Sequence, residues 1–293
     1  PIPYTVGNLS ASLWAQLPQS DLENNLLSNA RAYYKVPVSA NIIASPGTQA
    51  LIQWLPYLLP KSRVVVLGPT YAEHAHCWRA AGHNVEIINL GQKPPDSAGV
   101  IIAVNPNNPD GYIHNRNDLA ELIRPDRLLV IDEAFADTEP NCSMISATGN
   151  SNLIVLRSFG KFFGLAGARL GFAITNKDLT CKLSLALGPW AVSGPTMEIA
   201  TQAFTDTDWI AKTRLRLKQD ATHLDTIVTP KLGAVVGGTD LFRLYEMGDA
   251  NLHTKLASKG ILTRSFSERP TLLRIGLPAN SEDFARLEKA LSD

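Results

Sequence analysis

Between residues 40 and 175 the chain alternates uninterrupted apolar runs with segments of helical spacing. The apolar runs fall at 64–67, 84–88, 100–104, 128–131, 153–156 and 170–174. They are continuous instead of alternating, the pattern of strands buried on both faces of a parallel sheet. Helical patterns lie between them at 48–58, 71–81 and 116–123. Strand, helix and strand in succession predict an α/β fold with a doubly wound, mostly parallel sheet.

The rest of the chain reads differently. A long helical pattern spans 195–222, with Pro195 suited to its first turn and charged positions crowded from Lys212 to Lys218. A strand at 241–245, a helix at 250–259 stopped by Gly260, strands at 261–263 and 272–275 and a last helix at 281–291 follow. They form a smaller C-terminal α+β unit. The expected division is an N-terminal arm at 1–35, a large domain at 36–215 and a small domain at 216–293, which a chain of 293 residues can accommodate.

Charge narrows the partners. Lys plus Arg and Asp plus Glu both number 27, and no basic run is interleaved with aromatics, so nucleic acid is not expected. No apolar stretch reaches the roughly 18 residues of a membrane span, and no signal peptide is read at the start. Cys77, Cys142 and Cys181 lack Cys-x-x-Cys spacing, which predicts reduced thiols in a cytoplasmic protein. The expected partner is a small molecule.

Ligands of an open parallel sheet gather beyond the carboxyl ends of its strands. Four signals sit there: Tyr71 after 64–67, Asn108 after 100–104, Asp132 ending 128–131, and Ser158-Phe159-Gly160-Lys161 after 153–156, with Arg169 eight residues beyond Lys161. A lysine flanked by a hydroxyl and a guanidinium suits covalent capture of a phosphorylated aldehyde, and the natural candidate is pyridoxal 5'-phosphate. Asp132 emerges from an apolar strand and needs a partner, for which the cofactor's ring nitrogen is suited; capping a helix or pairing an arginine is the alternative. Gly47-Thr48-Gln49 opens a helix whose free amides suit a phosphate, and Asn105-Pro106-Asn107-Asn108-Pro109-Asp110-Gly111 reads as a held turn presenting Asn108. Tyr71 offers a flat face for stacking. His74 and His76 lie two apart and point apart on a helix, so no metal is expected. The companions of a serine β-lactamase Ser-x-x-Lys are absent, as are a Walker loop and Gly-x-Gly-x-x-Gly.

In this order, Gly47-Thr48-Gln49, Tyr71, Asn108, Asp132, Ser158-x-x-Lys161 and Arg169 resemble the cofactor site of fold-type I pyridoxal-phosphate enzymes, the aminotransferase class I/II superfamily, over nearly the whole chain. The resemblance implies a Schiff base on Lys161, stacking by Tyr71, contact of Asn108 with the phenolic oxygen and pairing of Asp132 with the ring nitrogen. It gives the phosphate to Thr48, Gln49, Ser158 and Arg169, and the substrate carboxylate to Arg274 in Leu273-Arg274-Ile275-Gly276-Leu277. It also implies a homodimer. Two departures stand out. Phe135 replaces a tyrosine that bonds the phenolic oxygen in many members, which should raise the pKa of the cofactor imine. Leu17-Pro18 replaces the segment lending a tyrosine to the partner. Family members carry further N-terminal residues over the substrate, so part of the pocket is expected to lie beyond Pro1-Ile2-Pro3.

The segments 68–74 and 157–167 are most similar to the branch that decarboxylates threonine O-phosphate in cobalamin synthesis, and next to histidinol-phosphate aminotransferases. Decarboxylation to aminopropanol O-phosphate is the expected activity, with transamination as the alternative and a non-catalytic cofactor-binding sensor as a second. Which bond breaks depends on which one is held perpendicular to the ring, and Arg274 serves either outcome. Arg264, His74 and His76 are the candidate cations for a substrate phosphate.

Overall fold

The computed structural model describes residues 2–249 and 251–292; Pro1, Ala250 and Asp293, including the first residue of the helix expected at 250–259, lie outside the described residues. The chain runs α1 (Ser12–Ala15), α2 (Ser20–Tyr34), β1 (Asn41–Ser45), α3 (Thr48–Trp54), β2 (Arg63–Gly68), α4 (Ala72–Ala80) and β3 (Asn84–Asn89). Next come β4 (Val100–Val104), α5 (Arg116–Glu121), β5 (Leu128–Asp132), β6 (Leu153–Ser158), α6 (Phe159–Phe162) and β7 (Gly171–Thr175). Three helices, α7 (Lys177–Leu187), α8 (Gly194–Thr205) and α9 (Thr207–Leu232), lead to β8 (Val235–Thr239), β9 (Phe242–Glu246), α10 (Leu252–Ser258), β10 (Arg264–Ser265), β11 (Leu272–Gly276) and α11 (Ser281–Ser292).

Among the described residues the large sheet has seven strands in the order β1-β7-β6-β5-β4-β2-β3. The five from β2 to β6 are mutually parallel, while β7 runs antiparallel to β6 and β1 antiparallel to β7. All six expected strands are present within two residues at each end. The apolar run of β7 does not encode its direction, because a strand covered on both faces buries the same residues whichever way it runs. β4 and β6 are buried at every position, whereas the edge strand β3 is not.

Side chains alternate between two layers. Val155, Ile131 and Phe172 face a core shared with Leu26, Ala30 and Phe204 of α2 and α8, whereas Ile154, Val130 and Ala173 face Leu51, Trp78 and Leu183 of α3, α4 and α7. β1, α2, α7 and β8 were not among the sequence expectations. The helix expected at 195–222 is two helices: Asp206 leaves helical geometry and its carboxylate accepts from the Trp209 amide at 3.0 Å, capping α9. α9 then continues for 26 residues, about 39 Å at 1.5 Å per residue, through residue 215 and into a separate core with Tyr245, Leu273 and Phe284. The small sheet, β10-β11-β9-β8, is antiparallel, and the strand expected at 261–263 appears instead as the two-residue β10.

Candidate active site

Local sequence fixes the direction of Lys161. Phe159, Phe162 and Phe163 fall three and four apart, on one side of α6, and all three are fully buried. Phe159 stacks on Phe163 with ring centroids 4.6 Å apart, and Phe163 lies nearly parallel to Trp209 at 5.6 Å. The apolar anchor turns Lys161 the other way, into a cleft above the strand ends. Thr48, Gln49, Tyr71, Asn108, Asp132, Ser158 and Arg169 line that same cleft of about 620 Å³. Sites read from residues 48 to 169 thus converge on one place.

The electrostatics of Lys161 follow from its neighbours. The side chain faces an open cleft, yet protein packed around the amine is the largest influence and lowers its pKa. Asp132 pulls it back up, and Arg274 and Arg169 push it further down.

Asp132 ends β5 and is buried. One carboxylate oxygen accepts from the Ala134 amide at 3.0 Å, and the other lies 3.0 Å from Nε2 of His74. His74, a candidate for a substrate phosphate in the sequence reading, is therefore committed behind Asp132. Its spacing from Tyr71, three residues on, puts the two on one side of the start of α4 and could have signalled this. His76 is exposed on the outer side of α4 and does not line the cleft. Among the described residues no group of three or more His, Cys, Asp and Glu could hold a metal ion.

The opposite wall collects donors. Gly47 has φ +83°, and a Cβ there would stand 2.6 Å from Nη2 of Arg169, so only glycine lets the guanidinium lie against the start of α3. Arg169 itself adopts φ +51°, and among the described residues its side chain donates only a long 3.4 Å bond to the Ala166 carbonyl and forms no ion pair. The Ser158 hydroxyl likewise has no protein partner among the described residues, whereas the Thr48 hydroxyl donates to the Arg157 carbonyl at 3.3 Å. The Gln49 side chain is occupied, donating to Glu73 at 2.9 Å and accepting from the Tyr71 hydroxyl at 3.2 Å, so Gln49 has its backbone amide left to offer. A free guanidinium, a free hydroxyl and a helix start form an anion cradle, with a buried carboxylate and an amine across the cleft. That donor set fits pyridoxal phosphate.

Asn108 and Arg274 meet although 166 positions separate them: Nη1 of Arg274 donates to Oδ1 of Asn108. Arg274 stands on β11 directly opposite Arg264 on β10. Burial, and then Arg264, lower the pKa of Arg274. Beneath the strand ends, Arg157 donates to Glu133 at 2.9 Å and to Asp137 at 2.7 Å, all three buried. Burial opposes the Arg157 charge, but the two carboxylates hold its pKa well above the ordinary value. This triad joins the residue after Asp132 to the residue before Ser158, and the sequence reading did not find it.

The family model for aminotransferase class I and II matches residues 8–291. A threonine-phosphate decarboxylase from Pseudomonas aeruginosa is 42% identical, covering 99% of this chain and 88% of that protein. One from Sinorhizobium is 38% identical, covering 100% and 89%. The structure of histidinol-phosphate aminotransferase from Sinorhizobium meliloti in complex with pyridoxal-5'-phosphate superposes with a TM-score of 0.80 at 22% identity, over 96% of this chain and 83% of that one. A fold shared over almost the full length and a sequence match of the same extent lead to one assignment: the chain belongs to the aminotransferase class I and II family.

Proposed function

We propose that this protein is a pyridoxal-phosphate-dependent decarboxylase that converts L-threonine O-phosphate to aminopropanol O-phosphate and carbon dioxide. The observation that carries the reading is the convergence of the Lys161 amine, the Asp132 carboxylate and the Arg169 guanidinium on one cleft, in a chain 42% identical to a threonine-phosphate decarboxylase. Lys161 is the covalent tether, and Asp132, Tyr71, Asn108, Ser158, Arg169, Thr48 and the Gln49 amide would hold the cofactor. Bound there, it supplies an electron sink for the pair left at the substrate's α-carbon.

The protein's own groups do the rest. His74 keeps the Asp132 carboxylate oriented. Arg274, bonded to Asn108, would bind the substrate carboxylate as a planar fork. Arg264, across the strand pair, adds a second positive charge. Two adjacent guanidiniums repel, and a ligand with a carboxylate and a phosphate relieves that repulsion better than a monoanion. Lys161, its pKa lowered by burial, is suited to handing its proton to the α-carbon once free.

A homodimer fits an exposed apolar groove lined by Pro18, Leu185 and Trp190, and sedimentation analysis tests it. Among the described residues no helix is long and apolar enough to cross a membrane. To test the activity, cofactor-loaded protein is given L-threonine O-phosphate. Carbon dioxide and the amino alcohol phosphate should appear in equal amounts; a keto acid without carbon dioxide would make the protein an aminotransferase.

A further inference from the structure

Four side chains form a continuous path from the small sheet to the reacting amine. The Arg274 guanidinium lies over the ring of Phe242, 5.0 Å from its centroid. Phe242 meets Phe135 edge to face at 5.0 Å, and the Lys161 amine stands 5.5 Å from the Phe135 centroid. Strand register explains the first contact. Arg274 pairs with Leu244, so Phe242 is its diagonal neighbour, and Gly276 directly opposite Phe242 has no side chain to cover the ring. The ring is left to the guanidinium.

Phe242 belongs to the small sheet, and Phe135 follows β5 in the large one. Phe242 is 4% exposed and Phe135 only partly buried. The same hairpin is pinned nearby, where the Gly238 amide donates to the Asp110 carbonyl at 2.7 Å, just beyond Asn108. At that pin a Cβ on Gly111 would fall 1.9 Å from the Gly238 carbonyl oxygen, so the two backbones touch.

We propose that Phe242 is a positioning residue for this site: it seats the Arg274 guanidinium and, through Phe135, ties it to the Lys161 amine, so that one aromatic contact sets the distance between carboxylate clamp and reacting group. The inference rests on the reading of Lys161 and Arg274 given above. A flat ring under a guanidinium holds its plane, and an edge-to-face pair has a preferred geometry that an aliphatic chain lacks. Loss of the ring frees Arg274 to wander and opens the amine to water.

The test uses Phe242→Leu and Phe135→Leu. In cofactor-loaded protein, Phe242→Leu should raise KM for threonine O-phosphate about tenfold and change kcat by less than about threefold, because a clamp is loosened while the chemistry is left in place. A second readout needs no substrate. In cofactor-free protein, trinitrobenzenesulfonate modifies only neutral amines, and mass spectrometry follows Lys161 across pH. Without the ring, burial and the Arg274 charge both act less on the amine, so its labelling midpoint should move up by about half a pH unit in either variant. Should Phe242→Leu fail to fold, Phe135→Leu at its partly buried position undergoes both measurements. An unchanged KM and midpoint in the folded variants overturns the proposal, and so does a fall in kcat alone. If the wild type does not turn over threonine O-phosphate, the functional reading fails, while the labelling still decides on the aromatic link.

Discussion

Asp132 and Ser158 reach the cleft from β5 and β6, whose residues are buried almost throughout, whereas Arg274 meets the cleft's Asn108 from β11, where buried and half-buried residues alternate beside the two exposed residues of β10. The first pair is set by ladder hydrogen bonds between parallel neighbours and by the Arg157 triad below. The guanidinium is held by Asn108, which follows β4 of the large sheet, and by the ring of Phe242 on the neighbouring strand of its own sheet. One half of the site is preorganised by its core; the other depends on side-chain contacts, one of them reaching between the two sheets. Half of the site can therefore stay fixed on a cofactor while the other adjusts to a substrate.

The sharpest way to break this division is Lys161→Ala. If the large-sheet half carries the chemistry, turnover falls by at least about 10⁴-fold, about 5.5 kcal/mol of barrier, and no supply of substrate restores it. A steady-state assay that found the loss confined to KM would move the chemistry elsewhere. Next is Arg157→Met. It leaves Glu133 and Asp137 buried without their cation, so denaturant unfolding should show a loss of about 3–5 kcal/mol. A loss comparable to a surface substitution would mean that the strand ends do not depend on the triad.

The same division explains what could be read from residues alone. Lys161, Asp132 and Ser158 were legible because a continuous apolar run marks a strand and the first polar residue after it marks a strand end. Arg274 was found through a motif resemblance, and its meeting with Asn108 could not have been, since no local pattern links positions 166 apart. His74 was misassigned to a substrate phosphate because burial of a histidine is a tertiary fact: the helix spacing was visible, but the position of Asp132 beside that helix was not. The Glu133–Arg157–Asp137 triad was hidden for a related reason. Charged residues beside motifs read as catalytic or exposed until one guanidinium is seen paired with two buried carboxylates.

Arg274→Lys acts on the other half and should do less. Lysine keeps the charge but loses the planar fork that can serve a carboxylate and Asn108 together. KM for threonine O-phosphate should rise about tenfold with kcat within about threefold, the size expected for weakening one charged hydrogen bond. A fall in kcat equal to that in kcat/KM would place Arg274 with the chemistry and erase the distinction between the halves.

The smallest effect is the most direct comparison, because the two halves act on Lys161 with opposite sign. Asp132 raises the pKa of the amine and Arg274 lowers it, with burial larger than either. In Asp132→Asn the upward pull is gone, the pKa falls, and a larger fraction of the amine is neutral at pH 8. In Arg274→Met the downward push is gone, the pKa rises, and the neutral fraction shrinks. Labelling of Lys161 in cofactor-free protein should therefore quicken in the first variant and slow in the second, each by about threefold. Added salt should shrink the two changes unequally, more for the half-buried Arg274 than for the buried Asp132. Rates that move together would mean that both substitutions act through solvent access to the amine and not through charge, and the electrostatic contrast between the two halves would be lost.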